Sequence, residues 1–216
     1  MRKLLIAFLF IAVSFQLIQA QVALSLVSGG NISNASKFLV DQNSVLLLKG
    51  TTNVNSFTCK CKDNYHPQSF FLKNSTSDLL EFTETRLQLA IATLDCGNKK
   101  MNTDLQKALN ASTHPKIKVE LLKVIIGDEC YANIDCVSEN LTEALVYAQI
   151  SINGKSNRYW IDVELRKSSE NKFFVLGQKR LNMLDFGVKP PEVFFGAVKV
   201  NSGIDIVFDL GISLTN

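Results

Sequence analysis

The segment from Ile204 to Ser213 alternates without a fault. Ile204, Ile206, Phe208, Leu210 and Ile212 fall on one side of an extended chain, and Asp205, Val207, Asp209, Gly211 and Ser213 on the other, because successive strand side chains point to opposite faces. A strand that is apolar along one whole face needs a sheet around it. The same period recurs upstream. Leu87, Leu89 and Ile91 oppose Gln88, Ala90 and Ala92, and Ile117, Val119 and Leu121 oppose Lys116, Lys118 and Glu120. Ala144, Val146, Ala148, Ile150 and Ile152 share a face before Asn153-Gly154, a hairpin turn signal. Tyr159, Ile161, Val163 and Leu165 then alternate with Trp160, Asp162, Glu164 and Arg166, and residues 173 to 184 form another extended run that ends at Asp185-Phe186-Gly187.

One stretch breaks the pattern. Met101, Leu105, Ala108 and Leu109 recur at helical spacing, with Lys100, Asp104, Gln106 and Lys107 facing away, so a helix is expected over about 98–110. His114-Pro115 ends it, since proline cannot continue a helix and favours extended geometry in the residue before it. Nearer the start, Val45–Leu48 and Val54–Lys60 read as two extended runs broken around Gly50. Residues 62 to 78 read as a polar loop carrying the apolar patch Phe70-Phe71-Leu72. Seven to nine strands and one helix, joined by short polar turns, predict an all-β fold: an antiparallel sheet closed into a barrel or folded into a sandwich.

Arg2 and Lys3, the apolar run Leu4–Phe15 and Ile18-Gln19-Ala20 have the order of a secretory signal peptide covering residues 1–20. Residues 21–36 read as a loosely ordered arm and 37–216 as one barrel domain. Later stretches fall short of the roughly 20 apolar residues of a spanning helix, so the exported chain is expected to be soluble, without stable membrane insertion. Loss of two cations with the leader leaves 21 cations against 20 anions. A net charge near +1 points away from nucleic acid.

Five cysteines in an exported chain imply disulfides, with one left over in a monomer, and a homodimer stays open. Cys130 and Cys136 flank a polar turn and are expected to pair. Cys59 and Cys61 share a strand face, so either reaches Cys96 if their strand lies beside the one ending at Leu94. Cys59, Cys61, His66, Cys96 and His114 invite a metal or nucleophile reading, but the spacing matches no zinc ribbon or finger, and an oxidising compartment favours disulfides. Neither a metal nor a catalytic set is expected. Asp205 and Asp209 share the polar outward face, where solvation explains them better than paired-carboxylate chemistry. Asn98, Lys99 and Lys100 read as a solvated turn before they read as a phosphate cradle.

Three blocks carry a resemblance. GTTNVNSFTCKC at 50–61, LDCGNKKMNTDLQKAL at 94–109 with HPKIKVELL at 114–122, and DFGVKPPEVFFGAVKVNSGIDIVFDL at 185–210 resemble, in order and spacing, the YceI-like proteins, in a version similar to that of exported Bacteroidetes members. The resemblance implies an extended, antiparallel, eight-stranded lipocalin-like barrel. It also implies a periplasmic or secreted, non-enzymatic protein whose partner is a long apolar lipid such as a polyisoprenoid. The cysteines and the segment holding Cys130 and Cys136 depart from the common pattern. The wall is then expected to be lined by Leu87, Leu89 and Ile91, by Val119 and Leu121, by Val146, Ala148 and Ile150, and by Ile204, Ile206 and Phe208. Met101, Leu105 and Leu109 would come from the helix at one end, and Phe186, Phe194 and Phe195 would form an aromatic rim. No cofactor is expected beyond a bound polyisoprenoid or a quinone lipid. A quinone would make the protein an accessory of membrane electron transfer, and a side-chain-filled barrel would make it an interaction module.

Overall fold

The computed structural model describes residues 36–75, 79–126, 141–169, 171–193 and 196–215. Its strands are β1 (Ser36–Val40), β2 (Val45–Thr52), β3 (Ser56–Cys61), β4 (Gln68–Ser75), β5 (Leu79–Ala90) and β6 (Leu94–Asp95), then β7 (Lys116–Ile126) and β8 (Thr142–Ile152). After them come β9 (Lys155–Ser169), β10 (Lys172–Asn182), β11 (Glu192–Val193) and β12 (Val198–Thr215). Among the described residues one α-helix, α1 (Lys99–Ala108), lies between β6 and β7. Every strand pairing is antiparallel.

The register shows how the short strands combine. β1 and β2 both lie along the same edge of β12, with Val40 opposite Ile212 and Val45 opposite Asp209. They are therefore one strand with a kink at residues 41–44. β3 pairs β2 while β4 pairs β1, so these two form a second kinked strand, and β5 with β6 forms a third. Counted this way the wall is an eight-stranded ring in simple up-and-down order, closed where β1 meets both β4 and β12. Closure leaves no free edge for other chains to pair with.

Side-chain hydrogen bonds hold the first kink. The Asp41 amide donates to Gly211 O at 2.8 Å, and its carboxylate accepts from Lys172 Nζ at 2.6 Å and from Ser213 Oγ at 3.0 Å. Gly211 is needed there, since a Cβ would lie 2.7 Å from Asp41 Oδ2. The Lys172 hydrogen bond holds the Asp41 carboxyl below its usual 3.8, with Ser213 acting in the same direction against the cost of burial. A group with a depressed folded pKa stabilises the fold above its unfolded value and loses that contribution as pH falls through the folded value. Asp41→Asn is expected to lower the urea midpoint at pH 7 and to flatten its decline below pH 4. Parallel pH profiles of the two proteins would refute this role.

The structure corrects the sequence reading in three places. Residues 68–75 form β4 rather than part of a loop, with Phe70 buried against Phe38 and Phe82. Gly50 does not break a strand but lies inside β2, where a Cβ would collide with the Phe57 ring; the turn falls at residues 53–55. Ile91 does not end a strand but opens a 3-10 turn, Ile91–Thr93, and is fully buried. The helix matches its expected place. Asn98 caps it, its side-chain oxygen accepting from the amides of Lys100 at 2.8 Å and Met101 at 3.4 Å, as an N-cap does. Asn153 and Gly154 take positive φ values of 51° and 76° in the β8–β9 hairpin turn, the conformation that asparagine and glycine tolerate.

Candidate ligand-binding site

The two ends of the barrel are built differently. At the end where β6 stops and β7 begins, α1 and a 3-10 turn, Met183–Phe186, cover the opening. Leu109 and Phe186 are buried there with Ile91, Leu94, Ile117 and Val188, and Leu105 packs partly buried against them. Met101 lies 36% exposed and so faces away from the seal. Phe186 sits beneath Tyr159, ring centroids 6.4 Å apart, as part of the plug and not of a rim. Towards the other end a second cluster gathers Leu80, Val124, Ile126, Ala144, Ala148 and Val163.

Between these clusters the expected lining residues share the inward face, but their burial differs. Leu89, Ile117, Ala148 and Ile150 are buried. Leu87, Val119, Leu121, Val146, Ile204, Ile206 and Phe208 are only half-buried, although Ile206 and Phe208 point at the core from mid-strand. In a small barrel whose lumen is filled by side chains, such positions lose all contact with solvent-sized space. Here inward positions on β5, β7, β8 and β12 keep that contact. Phe194, Phe195, Cys130, Cys136 and the leader lie outside the described residues.

Of the cysteines that can be placed, Cys59 and Cys96 form a disulfide and Cys61 is free. The register decides between them. Lys60 pairs with Asp95 and Cys61 with Leu94, so one more step of the ladder sets Cys59 opposite Cys96. Cys61 lies 3.9 Å from the Tyr65 hydroxyl, which donates to its sulfur. Burial raises the Tyr65 phenol above its ordinary pKa, and Cys61 and Asp63 push the same way. With Cys59 consumed, the sulfur and imidazole set considered for a metal is not assembled.

The YceI-like domain family model matches residues 33–212. The chain belongs to the YceI-like family. Among solved structures, the YceI-like barrel is similar to Burkholderia cenocepacia BcnA, at a TM-score of 0.57 and 16% identity over 80% of this chain and 98% of that one. It is also similar to a polyisoprenoid-binding domain from Saccharophagus degradans implicated in plant cell wall breakdown, at a TM-score of 0.56 and 13% identity, covering 82% of this chain and 97% of that one. At such identities the likeness establishes the fold alone. No curated protein matches the chain.

Two lapses in the ladder stand out in the wall of the YceI-like barrel. One separates the β4–β5 pairing from the β3–β6 pairing, at the kinks of the second and third strands, where the Ala90 amide donates to Asp63 Oδ2 at 2.7 Å and the Lys62 amide to Thr93 O at 3.0 Å. At its upper edge Thr85, buried beside the β5 bulge, accepts from the Phe71 amide and donates to Thr83 O. The other lapse lies between β9 and β10, whose pairing ends at Gly177 and Val163. Ion pairs line the outer surface. Asp205 pairs with Arg180, Glu120 with Arg86, Lys100 with Asp104, and Asp95 with Lys62 at 2.6 Å. Asp95 also accepts from Asn102 and the Gly97 amide, and these contacts hold its carboxyl well below the usual range. Asn98 and Lys100 are thus occupied as a cap and an ion pair, Asn102 ties α1 to the end of β6, and Lys62 ties the end of β3 to the same place.

Proposed function

We propose that this protein is an exported, non-catalytic carrier that holds a long apolar chain, a polyisoprenoid or a similar amphiphile, along the β12 side of its lumen. The observation carrying this reading is the half-buried apolar face of β12: Ile204, Ile206 and Phe208 are inward, in mid-barrel, and still open to solvent-sized space. Burying an uncharged chain against such a surface is worth on the order of 25 cal/mol per Å² and needs no directional polar contacts. Membership of the YceI-like family and the fold shared with a polyisoprenoid-binding domain support the same reading. A disulfide among the described cysteines fits an oxidising compartment such as the periplasm.

Function is then sequestration. The wall excludes water, the helix end is sealed by Leu109 and Phe186, and the chain enters away from that plug. The test is native mass spectrometry of the protein purified from its own cells, followed by solvent extraction of the bound lipid. A stoichiometric prenyl lipid is expected. A bare polypeptide mass, together with failure to take up added polyprenol, would overturn the carrier reading.

A further inference from the structure

Three cysteines meet where the ladder of the wall is shortest. β3 and β6 share two residue pairs, Lys60 with Asp95 and Cys61 with Leu94, and the Cys59–Cys96 bond lies one step further along. Cys59 and Cys61 are two residues apart on one strand and so point to the same face. That face is the inward one, because Cys59 pairs with Leu48, which in turn pairs with Ile206. Cys61 is thus the diagonal neighbour of Cys96 across the ladder. Such neighbours lie about 7–8 Å apart between Cα atoms, just beyond the roughly 4.4–6.8 Å that a disulfide spans.

Little opposes closing that gap. β6 is two residues long and follows directly on the 3-10 turn Ile91–Thr93, and β3 ends at Cys61 itself. The ion pair beside them already runs along the same diagonal: the Lys62 amide donates to Thr93 O, yet the Lys62 ammonium reaches forward to Asp95 at 2.6 Å. The half-buried thiol of Cys61 sits in a polar niche, with the Tyr65 hydroxyl donating to it at 3.9 Å and Thr93 Oγ1 at 3.8 Å. Cys96 is also where α1 is attached. Its amide donates to Asn102 Oδ1 at 2.7 Å, and Asn102 Nδ2 donates to Asp95 Oδ1 at 3.1 Å. Any displacement of Cys96 therefore pulls on the first turns of α1, whose later residues Leu105 and Leu109 pack into the seal.

We propose that Cys59, Cys61 and Cys96 form a two-position disulfide switch that sets how tightly α1 is held over the barrel end. Cys61 gives up its proton, its thiolate attacks Cys96 Sγ, the Cys61–Cys96 bond forms as the Cys59–Cys96 bond breaks, and Cys59 leaves as a thiolate that takes up a proton. No oxidant or reductant is consumed, and the number of disulfides is unchanged. Attack at Cys59 Sγ would instead link positions i and i+2 of one strand, about 6.6 Å apart with their Cβ atoms side by side, a poor geometry for a bond. In the second position the ends of β3 and β6 are drawn past each other, and the ties from Asn102 and the seal of Leu105 and Leu109 loosen.

The experiment equilibrates the full chain in a glutathione buffer, quenches with acid, alkylates free thiols and maps the bonds by trypsin and mass spectrometry. Cleavage after Lys60 separates residues 50–60, which hold Cys59, from Cys61, so the two pairings with residues 87–99 give different masses. The wild type should show Cys59–Cys96 as the main species with Cys61–Cys96 beside it, and Cys59→Ser should convert to Cys61–Cys96. In oxidised Cys59→Ser the amides of residues 99–109 should exchange about tenfold faster than in the wild type, while Cys61→Ser, held in the first position, should match the wild type. Absence of the Cys61–Cys96 peptide from both the wild type and Cys59→Ser, or Cys61 found bonded to Cys130 or Cys136, would overturn the switch. Formation of that bond with unchanged exchange in α1 would overturn its effect on the seal. None of these readouts involves a ligand, so the carrier reading is tested separately.

Discussion

Ile206→Trp should weaken farnesol binding more than tenfold, a loss above about 1.4 kcal/mol, while leaving the urea midpoint nearly unchanged. Ile206 lies opposite Leu48 on one side and Lys179 on the other, midway along β12 with its side chain half-buried. An indole there projects into whatever the lumen contains. In a barrel filled by side chains the larger group has nowhere to go, and overpacking costs typically 1–3 kcal/mol. In a lumen with room it takes the ligand's place and the fold tolerates it. Stability and binding therefore move in opposite senses under the two readings. A clear drop in stability with farnesol affinity intact would remove the cavity and the carrier with it.

Reduction of the Cys59–Cys96 bond, or Cys96→Ala, should lower stability strongly. The residues are 37 apart in sequence, and cross-linking a loop of that size restricts the unfolded chain by about 4 kcal/mol at 25 °C. For a chain of this size that corresponds to roughly 10 °C in Tm. The loss should be local in origin. β3 and β6 share a ladder of only two residue pairs, Lys60 with Asp95 and Cys61 with Leu94, and the disulfide is its covalent extension. Amide exchange should accelerate first in residues 56–61 and 94–96 and later in β7 and β8. A reduced protein within about 1 kcal/mol of the oxidised one would show that this end is held by α1 and its polar ties alone.

How far the sequence could be read depended on how local each signal was. β8, β9 and β12 alternate over long runs, so their inward faces were legible residue by residue. β4 was hidden because Phe70, Phe71 and Leu72 are consecutive, putting apolar groups on both faces and erasing the period. Gly50 has the usual mark of a turn, yet it is a strand residue that makes room for the Phe57 ring on the neighbouring strand. That requirement lies in β3, not in the sequence around Gly50. The choice of Cys59 over Cys61 was open for the same reason: the register of β3 on β6 decides it. Within the candidate site, buried and half-buried inward residues have the same binary pattern, so the accessible β12 wall could not be separated from ordinary core.

The closing pairs of the ring have a kinetic consequence. Lys37 faces Thr215 and Val40 faces Ile212, so the contacts that turn a sheet into a barrel join the two most distant described parts of the chain. Every other neighbouring pair in the ring forms between segments adjacent in sequence, at low loop-closure cost, whereas this seam waits for the last strand. During synthesis β1 and β2 have no partner along the β12 edge until that strand emerges. Until then the apolar faces line an open sheet with two exposed edges, the form most prone to pair with other chains. The barrel closes only when residues 198–215 are in place, so a single late event completes the lumen.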